Sequence, residues 1–242
     1  MNNSPLTANQ QEPHKINSNL RDLILGGQDG LVNVLGLVLG LAVASNDLRI
    51  ILAGGLAATF AESVSMAAVA YTSTRAQQSY YEGELAKEKR EIKEIPDREI
   101  EEVREIYRKK GFSGQLLEDA VAKITSNEEV WLDEMMKFEL GLQPVETKSA
   151  FGSGLVVGAA AVVGSLIPML PFFFLTALGL SISQAVWFSL VLSAIALFFV
   201  GAYKAFSTVG DWKRSGVEIA VIGLVSALVG YLIGQIFKAP PG

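Results

Sequence analysis

Five long apolar stretches dominate this chain of 242 residues. They cover residues 23–44, 50–71, 151–178, 182–206 and 217–237. A helix needs about 20 predominantly apolar residues to cross the hydrocarbon layer of a bilayer, and each stretch meets that length. The pattern therefore predicts an all-α membrane protein with five transmembrane helices.

The second apolar stretch continues into a charged segment without a break. Residues 75–92 contain no proline, so we predict one helix from residue 50 to residue 92 that starts in lipid and ends in water. Pro96 is expected to terminate it. In its polar half, Glu84, Glu88 and Glu91 share one helix face, because residues spaced by i, i+4 and i+7 point the same way.

Most of the charge lies between the second and third apolar stretches. Residues 77–148 hold 18 of the 25 acidic and 12 of the 20 basic residues. We predict an acidic, water-soluble helical insert there, whose short helices begin at Asp97, at Ser113 and at a capping box from Ser126 to Glu129. Its predicted core recurs at helical spacing and consists of Val103, Ile106, Leu116, Leu117, Val121, Ile124, Trp131 and Leu132.

The predicted organisation has four parts. Residues 1–19 form a disordered tail, 20–76 form transmembrane helices 1 and 2, 77–148 form the insert, and 149–238 form transmembrane helices 3 to 5. A turn at Asn46 and Asp47 makes the first two spans a hairpin. Glycines spaced four apart let membrane helices approach closely, so the pairs at 36/40 and 230/234 predict tight packing.

Basic residues are unevenly distributed between the two sides of the predicted membrane. Loops rich in Lys and Arg face the cytoplasm. We therefore predict that the N-terminus and the insert are cytoplasmic, on the side that carries Lys15, Arg21, Lys204, Lys213 and Arg214.

Composition excludes several kinds of site. The chain has no cysteine, which excludes disulfides and thiolate metal sites, and its one histidine, His14, excludes a histidine-rich zinc centre. The net charge of −5 argues against nucleic acid, which needs clustered Lys and Arg.

Two acidic residues fall inside apolar stretches. Asp29 and Glu62 would each cost several kcal/mol at membrane depth unless they face a cavity, a partner or an ion. A hydrogen bond across helices, or a position near the headgroups, would explain them structurally; an ion or proton site would explain them functionally. Met66 lies one turn after Glu62, and its thioether is either packing or a soft ligand that suits Fe²⁺, Mn²⁺, Co²⁺ or Zn²⁺ better than Mg²⁺ or Ca²⁺.

The acidic residues of the insert form like-charge neighbours. Glu88 pairs in this way with Glu84 and Glu91, as does Glu99 with Glu102, and such pairs destabilise a helix mildly unless a cation bridges them. Most glutamates on a soluble helix are simply solvated, so this spacing alone leaves metal binding open. The run Met135, Met136 and Glu139 adds two soft ligands and one more acid.

The combination of these motifs resembles the vacuolar iron transporter (VIT) family. The matching features are Asp29-Gly30-Leu31, Ser65-Met66, the Glu88/Glu91 helix, Pro96-Asp97 with Glu99/Glu102, and the run from Met135 to Leu142. The likeness covers about residues 20–238 in matching order. It implies a five-span homodimer that carries Fe²⁺ out of the cytosol in exchange for protons, along a path between the subunits.

The resemblance also implies which residues bind metal. Asp29 and Met66 would form the membrane site. The cytoplasmic ligands would be Glu88, Glu91, Glu99, Glu102, Met135, Met136 and Glu139, and Glu84, one turn before Glu88, would be an addition to them. One position departs from the plant-type pattern: Ala58 stands where a second acid is expected, and Glu62 lies one turn further on, so that it could take the place of that acid.

We therefore predict a proton-coupled Fe²⁺ transporter with no catalytic residue and no resident cofactor. It would lie in the plasma membrane of a prokaryote or in a vacuole-like membrane of a eukaryote. A Mn²⁺ or Zn²⁺ exporter of the same fold is one alternative. A membrane-anchored metal sensor or ferroxidase is another, although di-iron bundles usually need Glu-x-x-His pairs and the only histidine lies outside the insert. The least favoured alternative is an insert that only docks a partner.

Overall fold

The structure, a computed structural model, describes residues 18–143, 150–207 and 210–238. Within these ranges every regular element is a helix, as predicted. The elements are α1 (Ser18–Ser45), α2 (Leu48–Glu94), α3 (Pro96–Lys109), α4 (Gly114–Thr125), α5 (Glu128–Glu134), a π-helical turn (Met135–Glu139), α6 (Ala150–Phe173), α7 (Leu175–Leu178), α8 (Ile182–Ser207) and α9 (Trp212–Ile236).

Five of these helices are long and apolar enough to cross a membrane: α1, α2, α6, α8 and α9. This confirms the predicted number of spans. Helix α2 is 47 residues long and runs unbroken from an apolar to a charged half, also as predicted. Most of the predicted N-terminal tail lies outside the described residues, and α1 already begins at Ser18.

The chain divides into two compact units. One comprises Met1–Tyr71 and Phe151–Gly242, and is called the membrane unit below; the other, Thr72–Ala150, is called the insert. Helix α2 contributes residues to both units.

Helix α1 is the centre of the membrane unit and packs against α8 and α9. A side chain at Gly40 would place its Cβ atom 2.9 Å from the carbonyl oxygen of Gly230, and one at Gly234 would overlap the backbone of Gly40. The two predicted glycine pairs therefore face each other, and the absence of side chains lets α1 and α9 touch through their backbones.

Helix α6 contains two prolines and nevertheless continues to Phe173. A proline inside a helix lacks the N–H that its backbone hydrogen bond requires. The buried Ser189 hydroxyl of α8 donates a hydrogen bond of 2.7 Å to the carbonyl oxygen of Pro168. The bond ties α8 to the proline-containing segment, and α6 ends two residues after Pro171, at Phe173.

The insert has its own core, formed by the buried side chains of Ile92, Val103, Leu117, Val121, Ile124, Trp131 and Met135. Ile106 and Leu132 pack at its edge. Most of the predicted core is thus confirmed. Leu116 is the exception: it is 64% exposed because it lies on the outer face of α4.

Two predicted helix caps are wrong. Asp97 lies inside α3, whose N-cap is Ile95 and which has Pro96 in its first turn, where the missing N–H costs nothing. Helix α5 is capped by Asn127, not by Ser126: the Asn127 side chain accepts hydrogen bonds from the backbone N–H groups of Glu129 and Val130.

Candidate metal sites

Three glutamates from three separate elements meet in the insert. Glu88 is on α2, Glu99 in the first turn of α3 and Glu139 at the end of the π-helical turn. One carboxylate oxygen of each lies within 4.8 Å of the other two. We call this group the insert cluster. Its oxygen atoms are spaced closely enough to bind one cation together.

Two members of the insert cluster are almost completely buried. The Glu88 and Glu99 side chains are each only 2% exposed, and the Oε2 atom of each has no hydrogen-bond partner among the described residues. Two charges about 4.8 Å apart repel by roughly 3 to 4 kcal/mol at an effective dielectric constant near 20. Buried acidic groups without partners are costly, so this arrangement needs protons or a bound cation.

The three carboxyl groups of the insert cluster have raised pKa values. Burial, followed by the charge of Glu102, raises the pKa of Glu99 to about 7. Glu139 is the exposed member of the cluster, yet partial removal of its carboxyl group from water, followed by the charges of Glu102 and Glu88, raises its pKa to about 7. The pKa of Glu88 is raised as well, by burial and then by Glu91. A bound cation would oppose each of these shifts, because it favours the ionised form.

The π-helical turn brings Glu139 to the cluster. Its wider hydrogen-bond spacing is seen in the bond from the Leu140 N–H to the Met135 carbonyl oxygen, five residues back. Tyr107 of α3 donates a hydrogen bond of 2.8 Å to Glu134, and burial followed by this bond raises the pKa of Tyr107 to about 12. The Nζ atom of Lys110, the C-cap residue of α3, lies 3.3 Å from the centre of the Phe138 ring. These contacts fix the turn against α3, which carries Glu99.

The other predicted insert ligands surround the cluster without joining it. Glu91 forms an ion pair with Lys87 at 3.7 Å, and Glu102 with Arg98 at 3.1 Å. The half-buried Glu84 adds negative charge near Glu88. Both methionines are fully buried, and Met135 belongs to the insert core.

The membrane unit holds a second polar group, on the α1–α2 hairpin. The side-chain amide of Asn33 donates a hydrogen bond of 2.6 Å to the Oε1 atom of Glu62. The Asp29 carboxyl group is an electrostatic neighbour of Glu62. The structure therefore brings together two of the three predicted membrane residues, Asp29 and Glu62.

The contacts between α1 and α2 set an antiparallel register. Leu41 lies against Gly54, and Asn33 contacts Glu62. A step of eight residues back along α1 therefore matches a step of eight residues forward along α2. In this register Asp29 lies at the level of Met66, which is half-buried. The hairpin thus carries two polar levels, Asp29/Met66 and Asn33/Glu62, about 6 Å apart along the helix axis.

Asn33 is the one member of this group that was not predicted from the sequence. An uncharged amide in an apolar stretch draws less attention than a carboxylate. Its spacing was nevertheless a usable signal, since Asn33 lies four residues after Asp29 and so on the same face of α1.

Comparison with known proteins gives these sites a context. The sequence profile of the VIT family matches residues 20–235. The chain is 32% identical to vacuolar iron transporter 1 of Tulipa gesneriana, over 89% of this chain and 86% of that protein. It is also 32% identical to vacuolar iron transporter 1 of Arabidopsis thaliana, over 90% and 86% of the two chains. Protein CCC1 of Saccharomyces cerevisiae is 27% identical over 86% of this chain and 66% of its own length.

The match extends from the first turns of α1 to the last turn of α9, and so includes both polar groups as well as the five membrane helices. Members of the matched family are transporters and not enzymes. The chain is an integral membrane protein that belongs to the VIT family.

Proposed function

We propose that this protein exchanges Fe²⁺ for protons and moves iron out of the cytosol. The insert would collect Fe²⁺ on the cytoplasmic side, and the α1–α2 hairpin would carry it across the membrane. The observation that carries the proposal is the insert cluster, in which Glu88 and Glu99 are buried with unpartnered oxygens beside Glu139. The names of the relatives, vacuolar iron transporters, support iron as the cargo.

The donor set of the insert supports a divalent transition metal. Carboxylate oxygens bind most divalent cations, whereas thioethers favour the softer ones. Glu88, Glu99 and Glu139 would supply the oxygens, and we propose that Met135 and Met136 contribute sulfur after a small rearrangement. Glu84, Glu91 and Glu102 would hold further ions or raise the local cation concentration.

The neighbouring acids of the membrane unit support proton coupling. Two carboxylates that interact in a low-dielectric environment do not both stay ionised unless a cation lies between them. A metal ion held by Asp29 and Met66, close to Glu62, would satisfy this requirement in one half of the cycle, and a proton on Asp29 or Glu62 would do so in the other. Protons that enter from the far side would then displace the metal.

The exposed amide of Asn33 supports a homodimer. The Asn33/Glu62 pair lies on the surface of a hairpin that crosses lipid, where an exposed polar group is costly. A second copy packed on the same hairpin would cover the pair and enclose the path. We propose the plasma membrane as the location in a prokaryotic cell and a vacuole-like membrane in a eukaryotic one, with the insert in the cytoplasm.

Transport into proteoliposomes tests the proposal. Vesicles with an acidic interior, and with the insert facing outwards, should take up Fe²⁺ while the internal pH rises. Asp29→Asn should abolish uptake, and Glu88→Gln should reduce it at low Fe²⁺ concentration. Competition with Mn²⁺, Co²⁺ and Zn²⁺ would identify the preferred metal.

The matched control is Asp119→Asn, because Asp119 is an exposed acid of α4 that accepts a hydrogen bond of 3.0 Å from the Gln115 side chain. It should transport like the unchanged protein. Metal binding without any transport, under every pH gradient, would contradict the proposal and favour a membrane-anchored sensor.

A further inference from the structure

The Asn33/Glu62 pair carries an inference about the path inside the membrane. It consists of one carboxylate and one neutral amide, joined at 2.6 Å between two membrane-spanning helices. The amide donates a hydrogen bond but brings no positive charge. Residues 23–44 and 50–71 contain no Lys, Arg or His, so neither helix supplies a counter-ion at this depth.

The surroundings of Glu62 increase the need for a cation. The charge of another acid, Asp29, acts on Glu62 from one turn away along the hairpin. A bond that served only to hold α1 and α2 together would not need a carboxylate, since two neutral side chains would do so without a charge at membrane depth. The hairpin is already packed without the pair, because Ile51 of α2 lies in one buried cluster with Val34 and Val38 of α1.

We propose that Asn33 and Glu62 form a second cation position, one helical turn further along the hairpin than Asp29 and Met66. The proposal rests on the transport function proposed above. Asn33 would play two parts there: its N–H group orients the Glu62 carboxylate, and its carbonyl oxygen is a further ligand. The two positions differ chemically, since the first combines oxygen with sulfur and the second contains oxygen alone.

This difference in donors predicts the direction of transfer. Asp29 and Met66 would select the metal at entry, because a thioether discriminates against Mg²⁺ and Ca²⁺. The oxygen-only position would accept the ion after selection and hold it less specifically. A change at Asn33 should therefore affect turnover more than the initial binding of metal.

Equilibrium binding of Mn²⁺ tests the position independently of transport. The background is the full chain with Glu88→Gln, Glu99→Gln and Glu139→Gln, so that the insert cluster no longer contributes. Electron paramagnetic resonance counts the free Mn²⁺ ions, and Mn²⁺ suits an oxygen-only position. Asn33→Leu should lower the number of bound ions per chain by one, or weaken the last ion about tenfold or more, as expected for losing a hydrogen bond to a charged group.

Transport by the otherwise unchanged protein provides the second measurement. Asn33→Leu should lower the maximal rate of Fe²⁺ uptake about tenfold and leave its KM within about twofold, whereas Asp29→Asn should abolish uptake. The matched control is Gln235→Leu, which removes another amide hydrogen bond from a membrane helix, the 2.8 Å bond to Tyr231. This control should leave binding and rate unchanged.

An exchange of the two side-chain groups distinguishes a cation-binding position from a contact that only holds α1 and α2 together. In the double variant Asn33→Asp with Glu62→Gln, the carboxylate moves to α1 and the amide to α2. This double variant should recover most of the Mn²⁺ binding that Glu62→Gln alone loses. It tests the second cation position even if Asn33→Leu does not reach the membrane.

The possible results are distinguishable. Unchanged Mn²⁺ binding in Asn33→Leu, or an exchange variant no better than Glu62→Gln alone, would overturn the second position while leaving transport by the unchanged protein intact. Loss of Mn²⁺ binding in Asn33→Leu, in a protein that never transports iron, would support the position and overturn the proposed function.

Discussion

Glu88 of α2 and Glu99 of α3 bring their carboxylate oxygens within 4.8 Å of each other while both side chains are 2% exposed. The two residues are separated by Pro96, which begins the new helix and lets the chain turn back. Two acids in such a position are poorly stabilised when both are ionised.

Neutralising one buried acid should weaken metal binding by the insert. Glu99→Gln keeps the shape of the side chain but removes one anionic ligand, so the Kd for Fe²⁺ or Co²⁺ should rise about tenfold or more, which corresponds to about 1.4 kcal/mol. Trp131 lies in the insert core with Met135 and can report binding by its fluorescence. Trp187→Phe and Trp212→Phe remove the other two tryptophans. An unchanged Kd would exclude Glu99 as a ligand, and Asp119→Asn is the control.

Metal binding should depend on pH near neutrality. The pKa values of Glu99 and Glu139 are both raised to about 7, so both acids take up protons as the pH falls through 7. Protons and metal compete for the same oxygens, and the Kd should therefore increase steeply between pH 8 and pH 6. Titrations of the single-tryptophan protein at several pH values measure this. A Kd that stays constant over that range would contradict the assigned cluster.

Without metal, the insert should lose stability as the pH rises. An acid whose pKa is higher in the folded than in the unfolded chain contributes stability that is complete below its usual value of 4.5 and is lost as the pH rises through 7. The urea midpoint of the Trp131 transition should consequently be lower at pH 8 than at pH 6. Glu99→Gln should reduce this difference, and saturating metal should reverse it. Equal midpoints at both pH values would show that the acids are not coupled to folding.

Tight packing of α1 on α9 should make Gly230 intolerant of a side chain. A Cβ atom at Gly230 would overlap the backbone of Gly36, so Gly230→Ala should destabilise the protein by about 1 to 3 kcal/mol. Gly83 is the matched control: it lies inside α2 with no atom within 4 Å of its added Cβ. Gly83→Ala should be neutral or stabilising by up to about 1 kcal/mol. Thermal unfolding in detergent compares the two, and equal melting temperatures would contradict the close approach.

Properties that depend on neighbours in the sequence could be predicted. The five spans, the unbroken α2 and most of the insert core follow from hydrophobicity and from the 3.6-residue period, both of which are visible in any short window. Each glycine pair belongs here too as a packing surface, because a spacing of four already places small residues on one face. That the two pairs face each other was decided by the packing of α1 on α9. Helix caps were less predictable: Asn127 and Ser126 are adjacent and both are good caps, and only the backbone conformation distinguishes them.

The composition of each site was decided by the tertiary structure. The sequence proposed seven acids and three methionines besides Asp29, but it could not show that Glu88, Glu99 and Glu139 meet while Glu91 and Glu102 turn to Lys87 and Arg98. Asn33 could be assigned to a site only from the tertiary structure, because the register of the hairpin places it against Glu62. The physical reason is the same in both cases. Residue type and period are local properties, whereas the distance between two side chains depends on how separate helices pack.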